Sequence, residues 1–156
     1  MPRKTEAVAE SILRLLRSQS TLALSTSGAD GDPHATALFY LTGPQLELYW
    51  FSSPSSRHSR NLARQSRAAV TIYRSTEDWK NICGVQMHGT AEKILDRVLR
   101  QKIAREYGER FRLGTLFRTA MARNALYVFR PSWIRYLDNG RRFGFRVELT
   151  LPFPAL

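Results

Sequence analysis

The sequence predicts a mainly β, α+β fold: a small antiparallel barrel of short strands, with one helix inserted after the third strand and further helices on its flanks. Three observations carry this. Short segments rich in alternating or β-branched apolar residues recur through residues 21–94 and again through 127–149. Turn signals dense in Gly, Pro, Asp and Asn separate them. Other stretches instead set their apolar residues at helical spacing.

Each element can be justified in order. Thr5 to Gln19 places Val8, Ile12, Leu15 and Leu16 on one helical stripe and leaves Glu6, Glu10, Arg14 and Arg17 for the wet side. Thr21 to Thr26 reads as a strand in which Leu22 and Leu24 alternate with small polar residues. Gly28-Ala29-Asp30-Gly31-Asp32-Pro33 is a turn, and His34 to Leu41 is its hairpin partner. Gly43-Pro44-Gln45 turns the chain into a strand over 46–51, so three antiparallel strands follow one another with short connections. A helix is expected over about 57–66, and then a fourth strand, Ala68 to Tyr73. Ile82 to Ile94 forms a long fifth strand with Gln86 and His88 on one face and Val85, Met87 and Gly89 on the other. Helices follow over Asp96 to Tyr107 and about Leu113 to Arg123. Tyr127 to Leu137 is the last long strand, and Asp138-Asn139-Gly140 turns it into a return over Phe143 to Leu149. No repeat, low-complexity tract or linker interrupts the chain, so its 156 residues read as a single domain with residues 1–156 together.

The segment from 46 to 62 holds the strongest chemical signal. An apolar strand, Leu46 to Phe51, opens into Ser52-Ser53-Pro54-Ser55-Ser56-Arg57-His58 and leads straight into a helix carrying Asn61 and Leu62. Hydroxyls, turn backbone and two potential cations meet where orphan amide groups and the helix dipole favour an anion. Arginine adds a rigid fork of donors that matches phosphate oxygens. Local sequence leaves two readings open: a phosphate cradle, or an ordinary serine-capped helix whose Arg57 and His58 are merely solvated.

Composition limits the function classes. At 43% hydrophobic the chain can bury a core, and no run approaches the roughly 20 apolar residues that span a bilayer. Charges at Glu6, Glu10 and Arg14 break any export signal, and one cysteine cannot form an internal disulfide, which suits a reducing cytoplasm. The formal charge of +11 raises nucleic-acid binding as a rival, through arginines from Arg97 to Arg123. These are interleaved with Asp96, Glu106 and Glu109 and form no recognition motif. His34, His58 and His88 lack zinc-like spacing. Cys83 reads as a small core residue. Nucleophile-elbow, Walker and Rossmann motifs are all missing.

The order of Thr21-Leu22-Ala23-Leu24-Ser25-Thr26, the Gly31-Asp32-Pro33-His34 turn, Ser55-Ser56-Arg57-His58, Ala68-Ala69-Val70-Thr71-Ile72 and Gly84-Val85-Gln86-Met87-His88-Gly89-Thr90-Ala91-Glu92 resembles the FMN-binding split barrel of the pyridoxamine 5'-phosphate oxidase-like superfamily. Phe39-Tyr40-Leu41, and Asp138-Asn139 followed by Phe143-Gly144, resemble its small bacterial members. The resemblance covers about residues 8–148. It implies a six-stranded antiparallel split β-barrel with flanking helices and a homodimer with FMN in clefts between subunits.

The resemblance also implies roles for particular residues. Ser56, Arg57 and His58 fall on a Ser-Arg-Lys whose cations hold the FMN phosphate, so Arg57 is the expected main ligand and His58 replaces the usual lysine. Trp50, Phe51 and Ser52 fall on the strand end beside the flavin. Thr36, Ala37 and Leu38 match the strand under the isoalloxazine ring, and Gln86 a glutamine near the ring or ribityl chain. The Arg-x-His pair and the Ser-Arg-Pro segment used for the vitamin substrate are missing. Arg141, in Arg141-Arg142-Phe143-Gly144-Phe145-Arg146, is the nearest C-terminal basic residue expected at the cofactor, with Trp133, Tyr136, Phe143 and Phe145 serving the partner's site. The implied function is an FMN-dependent oxidoreductase. The alternatives are a flavin sensor or carrier without turnover, a haem-binding protein, or a deazaflavin F420 enzyme.

Overall fold

The computed structural model describes residues 2–151, with side chains from residue 5 onward. Helix α1, Pro2–Ser18, lays Val8, Ile12, Leu15 and Leu16 into the barrel interior, all of them buried. Strand β1, Thr21–Ser27, alternates as expected: Leu22, Leu24 and Thr26 are buried, while Ala23 and Ser25 face outward. Strand β2, Pro33–Phe39, pairs with β1 along its whole length, from Thr21 opposite Phe39 to Ser27 opposite Pro33. In the connecting turn Gly31 takes φ +75°, a conformation that costs glycine little.

The chain then departs from a simple meander. Strands β3, Leu41–Thr42, and β4, Leu48–Ser52, pair with each other, and β4 pairs with β7, Ala125–Asp138. With β5, Arg67–Tyr73, and β6, Cys83–Lys93, the antiparallel order is β2-β1-β5-β6-β7-β4-β3, and β8, Arg146–Thr150, joins β7. The two ends of this curled sheet are thus β2 and β3, and helix α2, Arg57–Arg64, carries the chain from β4 back to β5 beside β1. Among the described residues the six barrel strands of the expectation appear as eight strand segments, because β3 is only a two-residue pairing and β8 adds a return on β7. The β7–β8 connection is a loop from Asn139 to Phe145 and not the tight turn that Asp138-Asn139-Gly140 suggests.

Strand β4 moves because both of its faces are apolar. Leu48 and Trp50 enter the barrel core, where the Trp50 ring stacks on Tyr127 at 5.9 Å. Tyr49 and Phe51 point the other way, into a second core with Leu126, Val128 and Ile103 and Tyr107 of α3, Arg97–Arg110. Burying each such side chain contributes about 1.5–3 kcal/mol, so a strand buried on both sides is favoured between the barrel and the helices. Helix α4, Thr115–Ala122, closes this second core through Met121.

The β6–β7 ladder shifts register between His88 and Gly89. A side-chain carbon on Gly89 would collide with the Arg130 carbonyl and come within 2.9 Å of Pro131 Cα, so only glycine allows this approach.

Candidate functional site

Strand β4 ends at Ser52, and a turn through Ser53, Pro54 and Ser55 delivers Ser56 as the N-cap of α2, with φ −63° and ψ 153°. Its Oγ accepts from the Ser59 amide at 3.3 Å and donates to Ser59 Oγ at 2.7 Å. The buried face of α2 is polar: His58, Ser59 and Asn61 are buried beside Leu62. Such a face is tolerated only because its groups are paired. His58 Nε2 lies 2.8 Å from Ser52 Oγ and 3.1 Å from Ser56 Oγ, and Asn61 Nδ2 donates to Thr26 Oγ1 at 3.0 Å. These bonds fix where the helix starts relative to β1 and β4.

His58 is therefore turned inward and is not a second surface cation. Burial, and then the nearby His34, hold its pKa below the ordinary histidine value, so the ring is neutral at physiological pH. The sign of the linkage follows: a folded-state pKa below about 6.5 means that the unfolded chain binds the extra proton first. Stability is complete above that ordinary value and is lost as pH falls from it toward the lowered folded pKa. Thermal melts between pH 7.5 and 5.5 should show a larger acid loss for the wild type than for His58→Gln. An equal loss in both would remove His58 as the cause.

Two cations do face solvent at the turn. Arg57 is exposed and ion-paired with Asp32, the last residue of the β1–β2 turn before β2. Arg60, one helical turn on, donates from Nη1 to the Ser55 carbonyl at 3.0 Å. Arg60 and Asp32 were not singled out in the sequence, although the three-residue spacing from Arg57 signals that the two arginines share a helix face. Together with the exposed Ser53 and Ser55 hydroxyls, 2.8 Å apart, they form a cationic, hydroxyl-rich mouth. The Arg57–Asp32 pair is open to water and contributes little on its own, so an incoming phosphate can displace the carboxylate.

Strand β2 runs away from this mouth. Among the described residues it pairs only with β1, so alternate backbone N–H and C=O groups along its other edge have no ladder partner there. Thr36 and Leu38 are half-buried on its inner side and Ala37 is exposed on its outer side. The structure thus brings Ser52, Ser56, Arg57 and His58 together and sets Thr36, Ala37 and Leu38 on the adjoining edge strand.

Other expected site residues lie elsewhere. Trp50 is fully buried in the barrel core, and Phe51 packs edge-on against Tyr107 in the second core. Gln86 is exposed on the outer sheet face in a cross-strand row running Ala37, Ala23, Thr71, Gln86, Arg135, Glu148. Three strand spacings, about 14 Å, separate it from β2. Arg141 sits at the other end of the barrel: its Nη2 donates to Ser11 Oγ at 2.6 Å, its Nε lies 3.2 Å from Asp138 Oδ2, and its guanidinium covers Tyr136 and Phe145. Cys83 is buried as expected, and burial pushes its thiol pKa up, away from reactivity. Among the described residues no three His, Cys, Asp or Glu side chains group to hold a metal.

The model of the family described as pyridoxamine 5'-phosphate oxidase matches residues 8–138, which takes in β1 to β7 and the whole α2 turn. The chain belongs to the pyridoxamine 5'-phosphate oxidase family. Solved structures share the same split barrel. A conserved hypothetical protein of Mycobacterium tuberculosis is 21% identical over 85% of each chain, with a TM-score of 0.76. The haem storage protein HutZ of Vibrio cholerae is 17% identical over 78% of this chain and 88% of its own, at 0.66. A Clostridium acetobutylicum protein related to general stress protein 26, of the pyridoxinephosphate oxidase family, is 17% identical over 94% of this chain and 95% of its own, at 0.67. No curated protein matches the chain in sequence. For a member of the pyridoxamine 5'-phosphate oxidase family, the α2 turn and the β2 edge fall within the matched span, whereas Arg141 lies just beyond it. Among the described residues no helix is long and apolar enough to cross a membrane.

Proposed function

We propose that this chain is an FMN-binding flavoprotein, acting as an oxidoreductase in the cytoplasm and working as a homodimer. The observation that carries this reading is the pairing of the Arg57–Arg60 mouth at the α2 start with the unpaired edge of β2, in a chain of this family. The donor set suits the group: two guanidinium forks and the Ser53 and Ser55 hydroxyls would take the phosphate, and β2 backbone groups near Thr36 to Leu38 would address the polar edge of the ring. Neutral His58 braces the turn through Ser52 and Ser56. When bound, FMN supplies a ring that accepts and returns hydride, while the protein orients it and excludes water. The missing Arg-x-His pair and Ser-Arg-Pro segment argue against pyridoxamine 5'-phosphate as the substrate.

The dimer has its own support. The outer sheet face is built from small side chains on β2, β1 and β5, including Ala35, Ala37, Ala23 and Ala69, and it rises to the stacked His88 and Trp133 on β6 and β7. A second copy can approach such a flat face closely by two-fold symmetry. Gln86, too far from β2 of its own chain, would then serve the second copy's cleft.

A haem-binding reading is favoured by one specific point. Besides HutZ, a haem-binding protein of Mycobacterium smegmatis shares the fold, at 21% identity over 88% of this chain and 55% of its own, with a TM-score of 0.66, and His88 stands exposed on the outer face. The visible spectrum of freshly purified protein, with mass analysis of what copurifies, separates the two. Flavin absorption in the blue with a mass for FMN is the expected outcome, and a Soret band would replace the flavin reading with haem.

A further inference from the structure

Two arginines on neighbouring helices line a groove with an apolar floor and, among the described residues, have no acidic partner. Between α3 and α4 lies a groove of about 310 Å³, lined by Phe51, Arg100, Ala104, Arg105, Arg118 and Met121. Its floor is Phe51 and Met121, 9% and 5% exposed. Arg100 is committed to the fold: Nη2 donates to the carbonyls of Met121 at 3.2 Å and Asn124 at 2.8 Å, where the end of α4 leaves acceptors over. Its guanidinium also lies 5.2 Å from the Phe51 ring centre. Arg118 of α4 lies against α3, its Nε 3.7 Å from where a side-chain carbon on Gly108 would stand. Among the described residues, neither Arg105 nor Arg118 forms an ion pair, although Glu106 and Glu109 lie on the same α3.

We propose that this groove binds a small organic anion, a carboxylate or phosphate monoester carried on a short apolar body. The guanidinium groups of Arg105 and Arg118 take the charged head, for which their planar donors are suited. The apolar body lies along Ala104, Met121 and the Phe51 ring. The volume sits at the lower end of the roughly 300–1,000 Å³ of small-molecule pockets, which matches a compact ligand and not a polymer. Helix α4 is lightly held: Met121 is its one buried residue, and its N-cap, Gly114, has no side chain with which to cap the first-turn amides. A ligand bridging Arg105 and Arg118 therefore ties α4 to α3.

The site goes beyond the flavin reading, because Phe51 points to the opposite face of β4 from Ser52 and the α2 mouth, and the two proposals can fail separately. The test is calorimetric titration of the purified full chain with octanoate, octyl phosphate, octylamine and octanol. Octanoate and octyl phosphate should bind at least about tenfold more tightly than the amine and the alcohol. The double variant Arg105→Gln, Arg118→Gln should weaken them by about tenfold or more, with thermal midpoint and cofactor spectrum unchanged. Amide exchange over residues 115–122 should slow when octanoate is added to the wild type. No binding of the two anions, equal binding of octanol, or unchanged affinity in the double variant would overturn the proposal.

Discussion

Replacing Arg57 with Ala should release FMN while leaving the barrel folded. A hydrogen bond between charged groups contributes about 1.5–3 kcal/mol, so if Arg57 is the proposed phosphate ligand its loss should weaken FMN binding by about ten- to a hundredfold. Arg60→Ala should add a smaller loss, since that side chain is already held by the Ser55 carbonyl. Removal of Arg57 also frees Asp32 at the same mouth, and the uncompensated carboxylate would repel the phosphate further. The decisive measurement is fluorescence titration of cofactor-free protein with FMN and with riboflavin, which lacks the phosphate. The variant should lose affinity for FMN and keep that for riboflavin. A parallel loss for both ligands would show that Arg57 supports the fold or the ring, and the phosphate assignment would fall.

Trp50→Ala should have the opposite signature. The residue has no exposed surface, stacks on Tyr127 and belongs to the barrel core that also holds Leu48, Leu16 and Phe129. Truncating a buried tryptophan costs about 3–5 kcal/mol through lost burial and the cavity left behind. That is a large part of the 5–15 kcal/mol by which domains are stable. Trp50→Phe should cost less, because it keeps a ring against Tyr127 and removes the indole Nε1, which is buried without a hydrogen-bond partner. Urea unfolding should show a sharply lower midpoint for Trp50→Ala, with FMN affinity per folded molecule unchanged. A variant that unfolds normally but fails to hold flavin would put Trp50 at the cofactor and contradict its place in the core.

These two residues illustrate where sequence reading reaches and where it stops. The existence of α1, β1, β5 and β6 was legible, because Val8, Ile12 and Leu15, or Leu22 and Leu24, declare their periodicity within a few residues. The cap at Ser56 and the cation at Arg57 were legible for the same reason, since capping chemistry is local. Which face of β4 meets the site was not. Trp50, Phe51 and Ser52 are consecutive, yet they belong respectively to the barrel core, the α3 core and the α2 hydroxyl network. His58, expected as a surface ligand, turns inward, and Arg60, for which no role was expected, faces water, for a similar reason. The rotation of α2 about its axis, pinned by Asn61 on Thr26 and His58 on Ser52, decides which of them faces water.

By itself the sequence determined the succession of strands and helices and the hydroxyl-rich helix start, because each depends on residues within one or two turns of chain, and the order of its motifs along the chain pointed to the family. Only the tertiary structure decided that β4 lies beside β7 and not beside β2, that His58 is neutral and inward, that Arg60 joins Arg57, and that Gln86 and Arg141 stand far from that mouth. Strand order and helix rotation are set by burial against partners tens of residues away, and no local period records which distant surface will cover a given face.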